Sequence, residues 1–200
     1  MLSVFLGVGL AAACGFRVFV PLLCLSIAAH TGFVDLIDSF AWIGSTPAMI
    51  AFAVATAAEI AAYYIPWVDN ALDSIAIPLA TVAGILVTAS VVTDVDPFWR
   101  WTLAVVAGGG IAASTQVATT KARAASSLTT AGIGNPVVST AEAGISSVLS
   151  VISVIWPIVA MVLVIALLAL CFILIRFIGK RVFRLFRRKS DSEITPAATS

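Results

Sequence analysis

GVGLAAACGFRVFVPLLCLSIAA, residues 7–29, decides the class of this protein. The run is apolar or small throughout and long enough to cross a bilayer, which takes about 20 such residues. One residue does not fit: Arg17 stands in its middle. A charge at bilayer depth costs several kcal/mol, so it normally faces a partner or a wet cavity. Two more stretches repeat the pattern. Glu59 lies in MIAFAVATAAEIAAYYIP (residues 49–66) and Glu142 in NPVVSTAEAGISSVLSVISVIW (residues 135–156).

Composition agrees. Of 200 residues, 61% are hydrophobic and 10% charged, and the mean hydropathy is +1.12. Soluble domains carry roughly 25% charged residues. The reading is an all-α polytopic membrane protein with no room for a sizeable soluble domain. Its net charge of +1 hides an asymmetry, because seven of the eleven Lys and Arg fall between Arg176 and Lys189 and the first 99 residues hold only Arg17. We divide the chain into a transmembrane domain (1–178), a basic juxtamembrane amphipathic segment (179–189) and a disordered tail (190–200). The stretch from Arg176 to Lys189 interleaves aromatic and basic residues, which suits an anionic leaflet.

Six spans are expected. The first, residues 2–29, is a retained helix, too long and too interrupted by Arg17 for a cleaved signal peptide. A connector over 30–45 carries Asp35 and Asp38. Thr46-Pro47 then opens a second span, as N-cap and first helical residue, and Pro66-Trp67 breaks it. A third span covers 74–92, with Pro78 near its start, and TDVDPFWRW (93–101) forms an aromatic interfacial turn. A fourth, 102–120, ends at Lys121 and Arg123, and 126–135 reads as a polar loop. The apolar stretch 136–177 has 42 residues, about 63 Å of helix and twice a hydrocarbon core. It must fold back, near Ser150, Ser153 or Trp156-Pro157. The alternative is a re-entrant half-helix over 136–150, leaving five full crossings. The positive-inside rule makes the basic tail cytoplasmic. Six spans also place the N-terminus, Lys121 and Arg123 there, and are preferred, in a bacterial inner membrane.

The two halves, 1–95 and 98–178, echo one another. GLAAACG (9–15) resembles GIAASTQ (110–116), and each half carries one buried glutamate. Three spans per half predict inverted repeats with a site between them. Small-residue helices also look alike by composition alone.

Arg17, Glu59 and Glu142 form the leading constellation, and Arg17 is expected within salt-bridge reach of one glutamate. Functionally, Arg17 binds an anion and a glutamate carries a proton or steadies the arginine; structurally, the three make an interhelical ion pair. Two glutamates to one arginine leave a surplus acid, which favours function. Asp69 and Asp73, at i and i+4, are either a cation or proton-relay pair or a solvated loop. Tyr63, Tyr64 and Trp67 read as interfacial anchors, and the glycines as packing contacts. Gln116 sits among Ser114, Thr115, Thr119 and Thr120, with Ser139 and Thr140 flanking Glu142, a polarity that suggests a cavity wall. Lys121 and Arg123 complete the candidate pathway. Cys14, Cys24 and Cys171 lack metal or redox spacing and His30 is the only histidine, so no metal and no cofactor are expected. No catalytic or nucleotide-binding motif occurs, so neither an enzyme nor a nucleic-acid partner is expected.

GFRVFVPLL (15–23) and AAEIAAYYIPWVDNALD (57–73), with TKARAAS and NPVVSTAEAG, resemble the bacterial domain-of-unknown-function family 4126. The likeness covers roughly residues 3 to 175. It implies an architecture and a site, not an activity. The expectation from the residues is a small transporter or flippase for an anionic small molecule or lipid head group, proton- or ion-coupled and homo-oligomeric. The alternative is a non-catalytic membrane scaffold or assembly factor.

Overall fold

A computed structural model describes residues 1–130, 134–170, 172–173 and 176, and every regular element among them is helical. The elements are α1 (Leu2–Cys14), α2 (Phe19–His30), a 3-10 turn (Asp38–Gly44), α3 (Thr46–Ala62) and α4 (Pro66–Val91). Then come α5 (Pro97–Leu103), a π-helical segment (Ala104–Gly109), α6 (Gly110–Thr130), α7 (Asn135–Ile155) and α8 (Pro157–Leu170). The basic segment beyond Arg176 lies outside the described residues, as does Cys171.

Proline sets most of these boundaries. Pro47, Pro66, Pro97 and Pro136 each sit in a first helical turn, where the missing N–H costs nothing. Ser45 and Asp96 cap the helices that follow them, accepting from Ala48 N and Phe98 N. Trp156 drops out of helical geometry before Pro157 and ends α7, one of the bends the sequence offered. The cap of α3 is Ser45, one residue before the expected Thr46. The helix α4 starts at Pro66 rather than 74, enclosing Pro78, and α6 runs on to Thr130 through the expected loop.

The first apolar run departs most from expectation. It is not one helix: residues 15–18 break it, and the two halves turn back on each other. Side by side with α7, Gly9 meets Ser153, Ala13 O accepts from Ser146 Oγ at 3.0 Å, and Arg17 reaches Ser139. The chain of α1 therefore runs opposite to α7. After Arg17, Val20 to Thr31 share a groove with Ser147 to Ile155, so α2 runs parallel to α7. Leu2 and Thr31 end on the same side, and α1–α2 is a helical hairpin with Arg17 at its tip. Such a break is tolerated at membrane depth only where protein buries it, and residues 15–18 are all buried.

The helix α1 fills the centre of the bundle, with Leu6 through Cys14 all buried against α4, α6 and α7. Its apolar surface on every side is what a central helix needs. Glycines let its neighbours approach. A Cβ on Gly15 would stand 2.4 Å from Thr115 Cβ and 2.6 Å from Ala112 O. At the periphery, α3 packs on α2, and only Ala48 of it is buried.

Three helical stretches are long and apolar enough to cross a membrane: Ser74–Val91, Pro97–Ser127 and Asn135–Ile155. There are up to four if the 3-10 turn and α3, bent by 60°, count as one. The molecule is thus all-helical among the described residues, with apolar helices compatible with a multi-pass membrane protein. The echo between GLAAACG and GIAASTQ does not mark opposed halves. Gly7 faces Thr88 and Gly15 faces Thr115, while Gly108 faces Thr88, so α1 and α6 run the same way.

Candidate functional site

The hairpin tip gathers the buried charges. Arg17 is 1% exposed, Arg123 3% and Glu142 4%, values that in hydrocarbon demand partners. Arg123 Nε donates to both Glu142 oxygens at 3.0 and 3.1 Å, and Arg123 Nη2 adds a close contact to Oε2. Arg17 Nη2 lies 3.6 Å from the same Oε2. It also donates to Ser139 O at 2.8 Å and to Ser139 Oγ at 2.5 Å. One carboxylate thus serves two guanidinium groups. Tyr63 joins them, with Arg17 Cζ 3.9 Å and Arg123 Cζ 4.1 Å from its ring centroid, inside cation–π range.

Glu59 does different work. Its Oε1 accepts from Val18 N at 2.9 Å and its Oε2 from Phe19 N at 3.1 Å. These are the orphan donors that open α2, so a side chain from α3 caps a helix it is not part of. An acid there also meets the positive end of the helix dipole. The rest of the tip is satisfied as carefully: Gly15, Phe16 and Arg17 N–H return to Ala12 and Ala13 carbonyls, and Gly15 O accepts from Thr119 Oγ1 at 3.5 Å. Arg17 is the exception. Among the described residues its Nε and Nη1 are buried and have no hydrogen-bond partner.

Of the sequence-derived candidates, Arg17, Glu59, Glu142 and Arg123 come together. The expected contact between Arg17 and a buried glutamate is present, to Glu142. The expected surplus acid is not, because Arg123 enters from α6 and balances the charges. Gln116 is buried but directs Nε2 to Thr120 Oγ1 at 3.5 Å within its own helix, and Lys121 is exposed. Asp69 and Asp73 lie on the first turns of α4, and their side chains fall outside the described residues. Sequence reasoning read Tyr63 as an interfacial anchor, and it is a buried platform for both arginines. Arg123 carried a usable signal: Thr115, Thr119 and Arg123 are spaced i, i+4, i+8, one helical face, and all are buried.

A cavity of about 330 Å³ adjoins the cluster between α3 and α4, with Val18, Phe19, Glu59 and Tyr63 at its inner end. The cluster is off centre along the bundle. Glu142 follows the start of α7 by seven residues and precedes its end by thirteen, about 10 and 20 Å of helix. No group of three or more metal-ligating side chains occurs among the described residues.

A buried ion cluster held at the tip of a helical hairpin inside an all-helical bundle with three or four candidate membrane spans defines the class. The chain belongs to the family described as "Domain of unknown function (DUF4126)", which matches residues 4–177. No curated protein and no solved structure matches it.

Proposed function

We propose that this protein is a small inner-membrane transporter or flippase that takes an anion, either a small molecule or an anionic head group, at the tip of the α1–α2 hairpin. One observation carries the reading: Arg17, 1% exposed, keeps Nε and Nη1 without partners beside the N-terminus of a half-helix. Half-helix N-termini held at membrane depth are the anion sites of secondary transporters. Glu59 holds that N-terminus in the unloaded protein, and its protonation would remove the charge and weaken its hold on Val18 and Phe19 N–H, letting an incoming anion displace it. Proton coupling follows from that competition. Arg123, Glu142 and Tyr63 hold Arg17 in place.

The membrane arrangement that fits this site is a re-entrant hairpin plus five crossings, by α3, α4, α5–α6, α7 and α8. With the basic tail cytoplasmic, Lys121 and the cytoplasmic end of α6 beyond the buried Arg123 lie on that side too, and the N-terminus lies on the opposite face. This replaces six crossings with both termini inside. A bundle of this size encloses little volume, which favours a homo-oligomer. The scaffold reading draws its support from the Arg123–Glu142 pair, which is complete within the bundle.

Flux in proteoliposomes tests the proposal. Vesicles carrying the protein and an internal pH dye are challenged with carboxylate and phosphate anions. The expected result is anion- and pH-dependent movement, abolished by Arg17→Gln and made pH-independent by Glu59→Gln. Folded wild-type protein that moves no anion supports the scaffold.

A further inference from the structure

Consecutive helices joined by a short turn normally pack chiefly on each other, yet among the described residues α3 and α4 make their main contacts elsewhere. The helix α3 leans on α2, while α4 packs on α1, α6 and the π-helical segment. The space left between them is the 330 Å³ cavity. Its two long walls have opposite characters. On α3, Ala55, Ala58 and Ala62 form a smooth small-residue stripe; on α4, Leu72, Ile75 and Leu79 form a bulky one, spaced i, i+3, i+7. Ala58, Ile75 and Leu79 are also exposed on the outer surface of the bundle, the surface that faces hydrocarbon. The cleft therefore opens at the apolar side of the bundle. Only its inner end is polar, and there Glu59 sits on Val18 N and Phe19 N, with Tyr63 under the Arg17 guanidinium.

We infer that this cleft admits a single-chain anionic amphiphile from the bilayer, its acid head replacing the Glu59 carboxylate on the α2 N-terminus and its tail lying between the alanine and leucine stripes. The volume favours one chain, since 330 Å³ is at the small end of the roughly 300–1,000 Å³ usual for ligand sites. The tail gains little on leaving one apolar medium for another, so it decides the route of entry. Selection comes from the head, because an anion matches the two N–H groups at a helix start that Glu59 now occupies, with the buried Arg17 guanidinium behind the Tyr63 ring that lines the cleft. Glu59 is then a tethered competitor whose charge the substrate must displace. The inference rests on the anion-site reading above and adds lateral entry and substrate class.

The test uses full-length protein in phosphatidylcholine vesicles and a diazirine-bearing palmitic acid, with its methyl ester as the uncharged control. Acid should label α3 and α4 residues of the cleft at least tenfold more than ester. Ala58→Trp, a change at the exposed lip that fills the mouth without entering the core, should cut that labelling by a similar factor. Equal labelling by acid and ester overturns the inference, and so does acid labelling that Ala58→Trp leaves unchanged. Acetate and inorganic phosphate uptake in the same vesicles separates the two readings. Arg17-dependent uptake of either, with no preferential labelling by the acid, keeps the anion site and removes the amphiphile. No uptake and no labelling removes both.

Discussion

Arg123 approaches Glu142 side-on, its Nε shared between the two carboxylate oxygens at 3.0 and 3.1 Å. The pair joins α6 to α7, and Arg17 of the hairpin leans on the same carboxylate. Glu142 is therefore the hub of the cluster, and the arginines are its dependants.

Replacing Glu142 by Gln removes the carboxylate that two buried guanidinium groups share. Breaking one buried pair costs about 3–5 kcal/mol, and the loss here should reach at least that range. Unfolding by SDS titration in mixed micelles measures it. The double change Glu142→Met with Arg123→Met should cost less than the sum of the single changes, because neither partner is left charged. Additive losses would mean that the two side chains do not interact.

Glu59 predicts a graded series. With Glu59→Ala, Val18 and Phe19 N–H lose their acceptor, and loss of a helix cap costs roughly 0.5–2 kcal/mol. Glu59→Gln keeps one carbonyl oxygen to accept and should cost less. Hydrogen exchange at Val18 and Phe19 should quicken in the same order, Ala before Gln before Glu. Unchanged exchange in the Ala variant would deny Glu59 its capping role.

Gly15 tests the hairpin itself. An added Cβ meets Thr115 Cβ at 2.4 Å and the backbone oxygen of Ala112 at 2.6 Å. The second contact cannot rotate away. Gly15→Ala should therefore destabilise by about 1–3 kcal/mol, the usual cost of overpacking, and Thr115→Gly should restore only part of it. Full tolerance of Gly15→Ala would mean that the tip does not sit against α6.

Much of this architecture was legible in the sequence, because prolines and buried charges are local signals. Pro47, Pro66, Pro97, Pro136 and Pro157 mark helix starts, and Arg17 had to find an acid. Direction was not legible, because an apolar run has the same composition whether it crosses or turns back. Two hints lay in the first run. Its 28 residues exceed the roughly 20 that a crossing needs, and Gly15 and Pro21 flank Arg17. Both residues weaken a continuous helix, yet each is equally ordinary as a packing residue. Tyr63 was hidden by its place beside Pro66, where aromatic residues usually mark the interface. The role of Glu59 as a cap depends on α3 meeting α2, a contact no spacing within either segment reveals.

The hairpin makes a topological prediction that a single first span does not. If α1–α2 re-enters, Leu2, exposed in the structure, lies on the same side as Asp35, and both lie opposite Ser127. Under the positive-inside rule the basic tail, and with it Ser127, is expected in the cytoplasm. In a cysteine-free background, Leu2→Cys and Asp35→Cys should react with an impermeant maleimide added outside whole cells. Ser127→Cys should react only after the membrane is opened. A continuous first span reverses the result at Leu2 and leaves the other two unchanged, so position 2 alone decides. Protection of Leu2→Cys from outside, with Asp35→Cys still labelled, would return the N-terminus to the cytoplasm and end the re-entrant assignment.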